Sequence, residues 1–409
     1  MLTTTTMHRV RTSSLFEAAK ATRLGSIDLL RGIVMIIMAI DHTRDYFHNS
    51  AFVFNPEDLT QTNPILFFTR WITHFCAPVF VFLAGTSAYL YGAKKTRKEL
   101  SFFLFTRGIW LVFIELFILS LLRTFNPSFH FFNLQVIWAI GISMIVLSAL
   151  IYMKWFFILL TGIILIGAHN LLDGIHVPGN NLLSFLWSLL HDPARFTFGP
   201  FSLNVHYPLL PWIGIMAIGY SAGILYARGF DPAKRKKTLL MLGFGAIVLF
   251  IILRSGNLYG DAAHWSAQKN TAFSILSFLN VTKYPPSLLY ALMTLGPALI
   301  FLALTEKPLN AFARKIEVFG RVAMFYYLAH IFFIHLFAVI GVVILGYQWS
   351  DMILTGRVNA AEQLKGYGFD LAVVYVVWVG LILVLYPLCK WFDRYKRTHL
   401  PRYKWLSYL

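Results

Sequence analysis

The sequence predicts an all-α, polytopic transmembrane helix bundle of about ten helices, with both termini in the cytoplasm. Three observations support this fold class. Hydrophobic residues make up 58% of the chain and charged residues only 13%, whereas soluble domains average about 25% charged residues. Apolar runs of about 20 residues, long enough to cross a hydrocarbon layer, recur along the whole sequence. Successive connections alternate between many and few lysines and arginines, as loops on the two sides of a membrane do.

The candidate membrane spans follow these apolar runs in order. They are residues 27–47, 66–91, 102–122, 132–152, 155–172, 207–227, 238–254, 287–305, 319–345 and 371–391. The first run carries Asp28 and Arg31 near its start and lacks a small-residue cleavage site, so we interpret it as a retained helix and not as a signal peptide. We therefore predict a cytoplasmic leader over 1–25, one transmembrane domain over 26–395 and a basic cytoplasmic tail over 396–409.

The basic residues determine the predicted orientation. Roughly three quarters of the 35 lysines and arginines fall on the side that also holds the N-terminus, which is the positive-inside pattern. We accordingly predict the bacterial inner membrane, with the lipid bilayer as a partner. The net charge of +17 is thereby explained without a nucleic-acid partner.

Three predicted outer loops, 173–206, 255–286 and 346–370, are long and rich in aromatic and polar residues. Loops of this length are usually functional or disordered. Their composition suits a folded cap that grips a polar ligand, or an aromatic belt at the membrane interface, and both interpretations stay open. The histidines in the first two loops are His176, His191, His206 and His264.

Titratable side chains are concentrated at the outer end of the first predicted span. Helical spacing after the apolar run 33–40 places two aspartates, one arginine and two histidines close together: Asp41, His42, Arg44, Asp45 and His48. An ion-pair knot that anchors the helix end would explain the charges. The histidines favour a chemical role instead, because a neighbouring carboxylate raises the basicity of an imidazole and makes it a general base. We predict His42, His48, Asp41 and Asp45 as catalytic residues.

Other spans bring further polar side chains to membrane depth. Arg70 and His74 share one face of the second span, and a loop of about 18 residues lets that face meet the first cluster. Glu115 lies in the middle of the third span and His330 near the middle of the ninth. We predict that Arg44, Arg70, His74, Glu115 and His330 bind substrate. For the last two, a buried paired carboxyl and a hydrogen-bonded packing histidine are the alternatives.

Several site types have no motif in this sequence. There is no His-x-x-x-His motif with a catalytic glutamate and no Cys/His quartet, so no metal is predicted. Glycine-rich nucleotide loops and the Gly-x-Ser-x-Gly motif are absent as well. Cys76 and Cys389 are predicted near opposite membrane faces and imply no disulfide.

Several stretches of the sequence resemble one family, and they are spread over nearly the whole chain. They are 26–32 with Asp41 and His42, then 70–74, 80–87, 207–214, 283–288 and 320–330. These stretches resemble the heparan-α-glucosaminide N-acetyltransferase-like family, in particular its bacterial branch. The Leu-Arg-Gly opening, with a histidine about ten residues on and Arg107 at the start of the third helix, also resembles the wider membrane acyltransferases that acetylate surface sugars.

The resemblance implies an acyltransferase. Its donor would be acetyl-CoA or another acyl-CoA bound from the cytoplasm, and its acceptor an extracytoplasmic sugar or glycan. His42 or His48 would be the general base or a transient acyl carrier, oriented by Asp41 or Asp45. His42 stands where the family has an asparagine, and His48 is the histidine nearest to the family's catalytic one. The cations expected to meet the CoA phosphates, unless they only determine topology, are Lys94, Lys95, Lys98, Arg107 and Arg321.

Two other functions stay open. A secondary transporter or exporter of a polar metabolite would use Asp41, Glu115 and the histidines as a proton relay, although no inverted repeat is detectable. A purely structural role would leave the buried charge cluster costly and without purpose. A homodimer also stays open.

Overall fold

The computed structural model describes residues 3–400, 402–403 and 405–406, with side chains described from Gly25 onward. It is mostly helical, with 70% helix and 5% strand. The α-helices are α1 Thr3–Phe47, α2 Pro64–Trp71, α3 Cys76–Gly92, α4 Arg97–Phe113, α5 Ser120–Thr124, α6 Val136–Leu150, α7 Trp155–Gly167, α8 Leu182–Leu190, α9 Leu209–Ala222, α10 Pro232–Ser255, α11 Thr271–Leu279, α12 Leu288–Leu304, α13 Ala311–Arg321, α14 Ala323–Ile344 and α15 Leu371–His399. The strands are β1 Phe131–Leu134, β2 Ala194–Phe198 and β3 Phe201–Val205.

Six helical stretches among the described residues are long and apolar enough to cross a membrane. They are Pro64–Gly92, Arg97–Thr124, Leu209–Tyr226, Pro232–Ser255, Ala323–Ile344 and Leu371–His399. Helices α6, α7 and α12 are apolar but shorter. Composition alone does not mark α1 as a span, because charged side chains flank its apolar middle from Asp28 to Asp45. The mostly helical class is confirmed, whereas the count of ten spans and the orientation of the termini stay predictions.

The prediction of an all-α fold is wrong in one region. Strands β1, β3 and β2 form a small sheet in that order, with β1 parallel and β2 antiparallel to β3. The span predicted over 132–152 therefore begins as a strand, and its helix starts only at Val136. The β2–β3 hairpin turns at Gly199, whose φ of 56° lies in the left-handed region that glycine tolerates. Alternating side chains in β2 and β3 bury one face of the hairpin, and an apolar-run search does not detect that pattern.

Close helix packing builds the bundle. The helix pairs in tightest contact are α1 with α13, α3 with α9, α4 with α6, α7 with α9, and α10 with α12. Each pair places a glycine of one helix against the other backbone. A Cβ added to Gly320 would lie 1.9 Å from the carbonyl oxygen of Asp28, and one added to Gly85 would lie 2.2 Å from that of Met216. Small residues permit such backbone contact in membrane bundles.

Basic connections and long loops lie at opposite ends of the bundle. We call the end that holds Arg31, Arg321 and Lys396 the basic end. Arg31 pairs with Asp28 there at 2.9 Å, and Arg321 pairs with Asp393 at 2.8 Å. We call the other end, where the sheet and the three long loops lie, the loop end.

Candidate functional site

Two cavities enter the bundle from its two ends. The loop-end cavity has a volume of about 510 Å³ and is lined largely by charged and polar side chains. The basic-end cavity has a volume of about 380 Å³ and a mostly apolar lining. Phe80, Val136 and Tyr327 line both cavities. The two cavities therefore adjoin each other inside the bundle, with these three side chains between them.

The C-terminal turns of α1 supply one wall of the loop-end cavity. Arg44 is only 4% exposed; its Nη2 donates to Asp45 at 2.6 Å and forms an ion pair with Asp41 Oδ1 at 3.0 Å. The buried Nε and Nη1 atoms of Arg44 have no hydrogen-bond partner among the described residues. Arg44 lines the cavity, and these two donors lie buried in its wall.

Helix α2 and the 3₁₀ turn after it supply the facing wall. Asn63 caps α2 by accepting a hydrogen bond from the backbone N–H of Leu66 at 3.0 Å, and this sets the start of the turn that carries Arg70. Arg70 donates to Asp41, so the two predicted clusters come together as expected. His74 lies one turn further on, and its ring donates to Glu57 at 2.6 Å.

A proline explains the irregular backbone around His74. Pro78 has no N–H, so the carbonyl of His74 cannot make the ordinary helical hydrogen bond to it. The hydroxyl of Tyr290 donates to that carbonyl instead, at 2.7 Å. The chain forms a 3₁₀ turn over Ile72–Phe75 between α2 and α3. The irregularity therefore lies just before Pro78.

Glu57 is a site residue that the sequence analysis does not identify. It lies in the loop between α1 and α2, where it accepts from Arg70 Nε at 3.2 Å and from His74. Burial opposes ionisation of this carboxyl, but the Arg70 charge and the His74 hydrogen bond outweigh burial and hold the pKa of Glu57 well below its usual value. Glu57 therefore stays ionised and joins the two walls. Glu57 could have been identified from the sequence by its position, because it is an acidic residue in a short loop between two charged helix ends.

The two candidate histidines of α1 occupy different environments. His42 lines the loop-end cavity, and its ring centre lies 5.2 Å from that of His330. His48 does not line that cavity, because its Nδ1 accepts from the backbone N–H of Ser50 at 3.2 Å and contacts the Ser50 hydroxyl at 2.5 Å. Burial, with Arg44 nearby, lowers the pKa of His48. His48 thus caps the short 3₁₀ turn that follows α1.

His330 lies behind His42 and is fully buried. Its Nδ1 donates to the carbonyl of Tyr326 at 3.0 Å, and its Nε2 has no hydrogen-bond partner in the described chain. It lines neither cavity directly. His330 is therefore placed to support the ring of His42 and does not face the cavity space itself.

Glu115 is fully paired. Its carboxylate accepts from Arg123 at 2.5 Å and from the backbone N–H groups of Ile137 and Trp138 at 3.0 and 3.1 Å, so it caps the N-terminus of α6. Arg123 also donates to the hydroxyl of Tyr327 at 3.0 Å. Glu115 lines neither cavity, whereas its partner Arg123 lines the loop-end one. Arg123 therefore lines the loop-end cavity, and Glu115, which is predicted from the sequence to bind substrate, does not.

The loop before α12 and the segment before α9 form a further wall of the loop-end cavity. Lys283, Tyr284 and His206 all line it, and the ring centres of His206 and Tyr284 are 3.9 Å apart. Burial opposes ionisation of the Tyr284 hydroxyl, but Lys283 and Arg70 beside it lower its pKa. Burial, together with the nearby cations Arg357 and Lys283, holds the pKa of His206 well below its usual value. His206 is therefore a neutral imidazole near neutral pH.

The predicted CoA-binding cations separate into three groups. Arg107 and Arg321 line the basic-end cavity together with Arg31 and Lys396. Lys94 and Lys95 line a different cavity of about 630 Å³ at the same end of the bundle. Lys98 is exposed and lines neither of these two cavities. Of these cations, only the first group lines the mostly apolar cavity that adjoins the loop-end cavity.

Possible metal ligands lie away from both cavities. Within the described ranges, the side chains spaced to hold a metal ion are His169, Asp173 and His191. None of the three lines either cavity. The chemistry available around His42 is therefore proton transfer between an imidazole and a ligand, surrounded by ion pairs.

Fold and site together define a class of protein: a helical membrane protein with a titratable, charge-lined cavity that meets an apolar cavity from the opposite end. The family model for heparan-alpha-glucosaminide N-acetyltransferase, catalytic, matches residues 23–259. This match covers more than half of the 409 residues, and the chain belongs to this family. A comparison with curated proteins gives no match. Family membership and the apolar helices together indicate a multi-pass membrane acetyltransferase.

Proposed function

We propose that this protein transfers an acetyl group from cytoplasmic acetyl-CoA to an amine or hydroxyl of a sugar-like acceptor on the other side of the membrane. The observation that carries the proposal is that the two cavities adjoin each other and share Phe80, Val136 and Tyr327 in their walls. A donor that enters from the basic end and an acceptor that enters from the loop end would meet there. The positive-inside pattern supports a cytoplasmic basic end.

The basic-end cavity fits the donor by its chemistry. Met35, Ala84 and Met324 are among the apolar side chains that line it, and they suit a pantetheine arm. Arg31, Arg107, Arg321 and Lys396 also line it and supply positive charge for phosphates. Arg31 and Arg321 also have carboxylate partners at this end, Asp28 and Asp393.

His42 is the proposed general base. It lines the loop-end cavity, and no side chain among the described residues hydrogen-bonds to its ring, so a ring nitrogen is available to take the proton of an acceptor amine or hydroxyl. The acceptor then attacks the thioester carbonyl, the new C–N or C–O bond forms and the C–S bond breaks. The proton held by His42 passes to the departing thiolate. The free N–H groups of Arg44 would stabilise the negative charge on the carbonyl oxygen.

The ion-pair network holds this geometry in place. Asp41, Glu57 and Arg70 join α1 to α2, and Asp45 pairs with Arg44. In this proposal Asp41 and Asp45 orient the arginines and leave the proton transfer to His42. His48 has a capping role, and His74 supports Glu57.

Acetyl-CoA binding and turnover together test the proposal. The chain purified in detergent is titrated with acetyl-CoA by calorimetry, and membranes are then assayed for transfer of radiolabel from acetyl-CoA to sugar or glycan. We expect saturable binding, and His42→Ala to reduce turnover by about 100-fold or more while binding persists. His48→Ala, at the end of the same helix, and the exposed His264→Ala serve as controls and keep most of the turnover. Turnover that survives in His42→Ala would refute the assignment.

A secondary transporter is the second candidate, because two cavities that meet from opposite ends also describe a transport path. It would need no acyl-CoA. Proton-gradient-dependent uptake of an amino sugar into proteoliposomes without acyl-CoA, combined with no acetyl-CoA binding, would favour the transporter. Acetyl-CoA binding without such uptake would favour the acetyltransferase.

A further inference from the structure

Two histidines and one aspartate converge at the loop end, outside the cavity described above. His169 begins the 3₁₀ turn that follows α7, Asp173 ends that turn, and His191 follows α8. One ligand atom from each lies within 4.8 Å of the others. The ring of His191 contacts the Asp173 carboxylate at 3.1 Å. The cluster therefore joins two helices that are adjacent in sequence but linked by a loop.

Three of the four ring nitrogens of these two histidines are buried without a hydrogen-bond partner among the described residues. His169 and His191 are each 3% exposed. Neither ring nitrogen of His169 has a hydrogen-bond partner of good geometry within the described residues, and Nδ1 of His191 also has none. The carbonyl of Pro286 is near the His169 ring, as a carbonyl that orients a ligating imidazole would be. Buried polar atoms without partners are rare in proteins and call for an explanation.

The charges around the cluster favour a cation. Those that act on the His191 ring come from Asp173, Asp192 and His176. Asp192 contacts His176 at 2.9 Å on the exposed side. One carboxylate and two imidazoles, from Asp173, His169 and His191, form a ligand set that suits a divalent transition metal.

The Asp173 carboxylate is also oriented by a second residue. Its Oδ2 accepts from the side-chain amide of Asn170 at 2.9 Å, which leaves Oδ1 directed to the cluster. Asn170 in turn accepts from the backbone N–H of Leu288 at 2.9 Å. Hydrogen bonds that fix a ligating carboxylate are a regular feature of metal sites. This chain of contacts reaches the segment that carries Lys283 and Tyr284 over the loop-end cavity.

We propose that His169, Asp173 and His191 bind one divalent transition-metal ion, zinc being the best match to two imidazoles and one carboxylate, with water completing the coordination. The site is structural. It joins the C-terminal end of α7 to α8 and, through Asn170, steadies the segment before α12. No metal is predicted from the sequence, because the spacing of His169, Asp173 and His191 matches none of the zinc motifs named above.

Metal analysis of the purified chain tests the proposal. The protein, freed of any affinity tag, is stripped with chelator in detergent, incubated with zinc chloride, desalted and analysed by mass spectrometry for metal per chain. We expect about one zinc ion per chain, and loss of that ion in His169→Ala and in His191→Ala. The exposed loop histidine variant His264→Ala is the matched control and keeps the ion.

Cobalt provides a readout that does not depend on variant folding. The unaltered chain loaded with cobalt(II) should show the visible absorption bands of a low-symmetry nitrogen and oxygen site, and zinc should displace them. Less than one tenth of an ion per chain and no cobalt bands in the unaltered protein would overturn the proposal. Full zinc retention in the double variant of His169 and His191 would overturn it as well. Neither readout depends on acetyl transfer, so the two proposals fail separately.

Discussion

At the scale of single residues, the site is a set of charges that neutralise each other around one free imidazole. Arg44 and Arg70 share Asp41, and Glu57 adds a second carboxylate to Arg70. A buried ion pair contributes little net stability when complete, but removal of one partner leaves an uncompensated charge. The residue-scale predictions follow from this asymmetry.

Replacement of Glu57 by glutamine should damage the site through Arg70. The variant removes the charge while it keeps the shape, so Arg70 and His74 lose the negative charge that they share. We expect a loss of about 3 kcal/mol in the free energy of unfolding and a fall in turnover of at least about tenfold, because a misplaced positioning group costs that much or more. Thermal unfolding in detergent and the radiolabel assay measure the two effects.

The matched control is the next residue, Asp58→Asn. The Asp58 carboxylate bonds only within its own turn, to Thr60 and Gln61. The free energy of unfolding of Asp58→Asn should lie within about 1 kcal/mol of that of the parent chain. Equal effects of the two variants would show that the loop, and not the Arg70 contact, is responsible.

His206 should contribute to the pH dependence of stability. Its pKa is held below the usual value of about 6.5 in the folded protein. Below that pH the unfolded chain binds a proton that the folded chain does not, so the contribution of His206 to stability is present above about 6.5 and is lost as the pH falls. His206→Gln should therefore reduce the fall in unfolding temperature between about pH 7 and about pH 5. The exposed His264→Gln should leave that fall unchanged. If His206→Gln also left the fall in unfolding temperature unchanged, His206 would not contribute to the pH dependence of stability.

At the scale of helices, glycine faces determine how closely the spans approach. A Cβ on Gly85 would meet backbone atoms of α9, and one on Gly219 would meet the backbone of α3. Backbone atoms cannot rotate away as a long side chain can. The α3–α9 contact matters for function because α3 also carries Phe80 and Ala84 into the two cavities.

Gly85→Ala should separate α3 from α9. The added methyl has no space at 2.2 Å from a carbonyl oxygen, and we expect destabilisation of about 1–3 kcal/mol, the usual cost of overpacking. Gly245→Ala is the control, because nothing lies within 4 Å of its Cβ position on α10. That control should be neutral or stabilising by about 0.5–1 kcal/mol. Denaturation of both variants in the same detergent makes the comparison, and equal stability would argue against a tight α3–α9 contact.

Ala84→Trp should block the donor passage selectively. Ala84 lines the basic-end cavity, and an indole there would fill much of the space assigned to the pantetheine arm. We expect the variant to lose at least about tenfold in acetyl-CoA affinity, about 1.4 kcal/mol. Leu242→Trp on the exposed face of α10 controls for the bulk of the indole. An unchanged affinity of Ala84→Trp for acetyl-CoA would show that the donor binds elsewhere.

At the scale of the whole molecule, function depends on which end of the bundle faces the cytoplasm. Both natural cysteines are buried, so they should react slowly with a membrane-impermeant maleimide. Ala233, in the first turn of α10, and Ala262, after the C-terminal end of that helix, are exposed positions. These two sites provide a matched pair for a topology test.

Ala262→Cys should label from outside intact cells, whereas Ala233→Cys should label only after the membrane is permeabilised. The physical reason is the cluster of lysines and arginines near Ala233, which the positive-inside rule retains in the cytoplasm. Mass spectrometry of the maleimide adduct measures both. The reverse labelling pattern would place the loop end in the cytoplasm and contradict the proposed direction of acetyl transfer.

Local features of this protein could be predicted from the sequence alone. Helical class and approximate spans follow from apolar runs, because a backbone in hydrocarbon must satisfy its hydrogen bonds internally. The Asp41–Arg44 pair and the shared orientation of Arg70 and His74 follow from helical periodicity. The meeting of these two clusters was predicted as well, since a short loop joins their helices.

Only the tertiary structure decided how distant parts of the chain combine. It separated His42 from His48, paired Glu115 with Arg123 and brought Glu57 between Arg70 and His74. It also formed a small sheet and placed two cavities side by side, with Phe80, Val136 and Tyr327 between them. These outcomes depend on loop paths and on helix contacts between residues far apart in the chain, and neither periodicity nor composition encodes them. Sequence therefore determined the elements and their polar faces, and packing determined which side chains share a site.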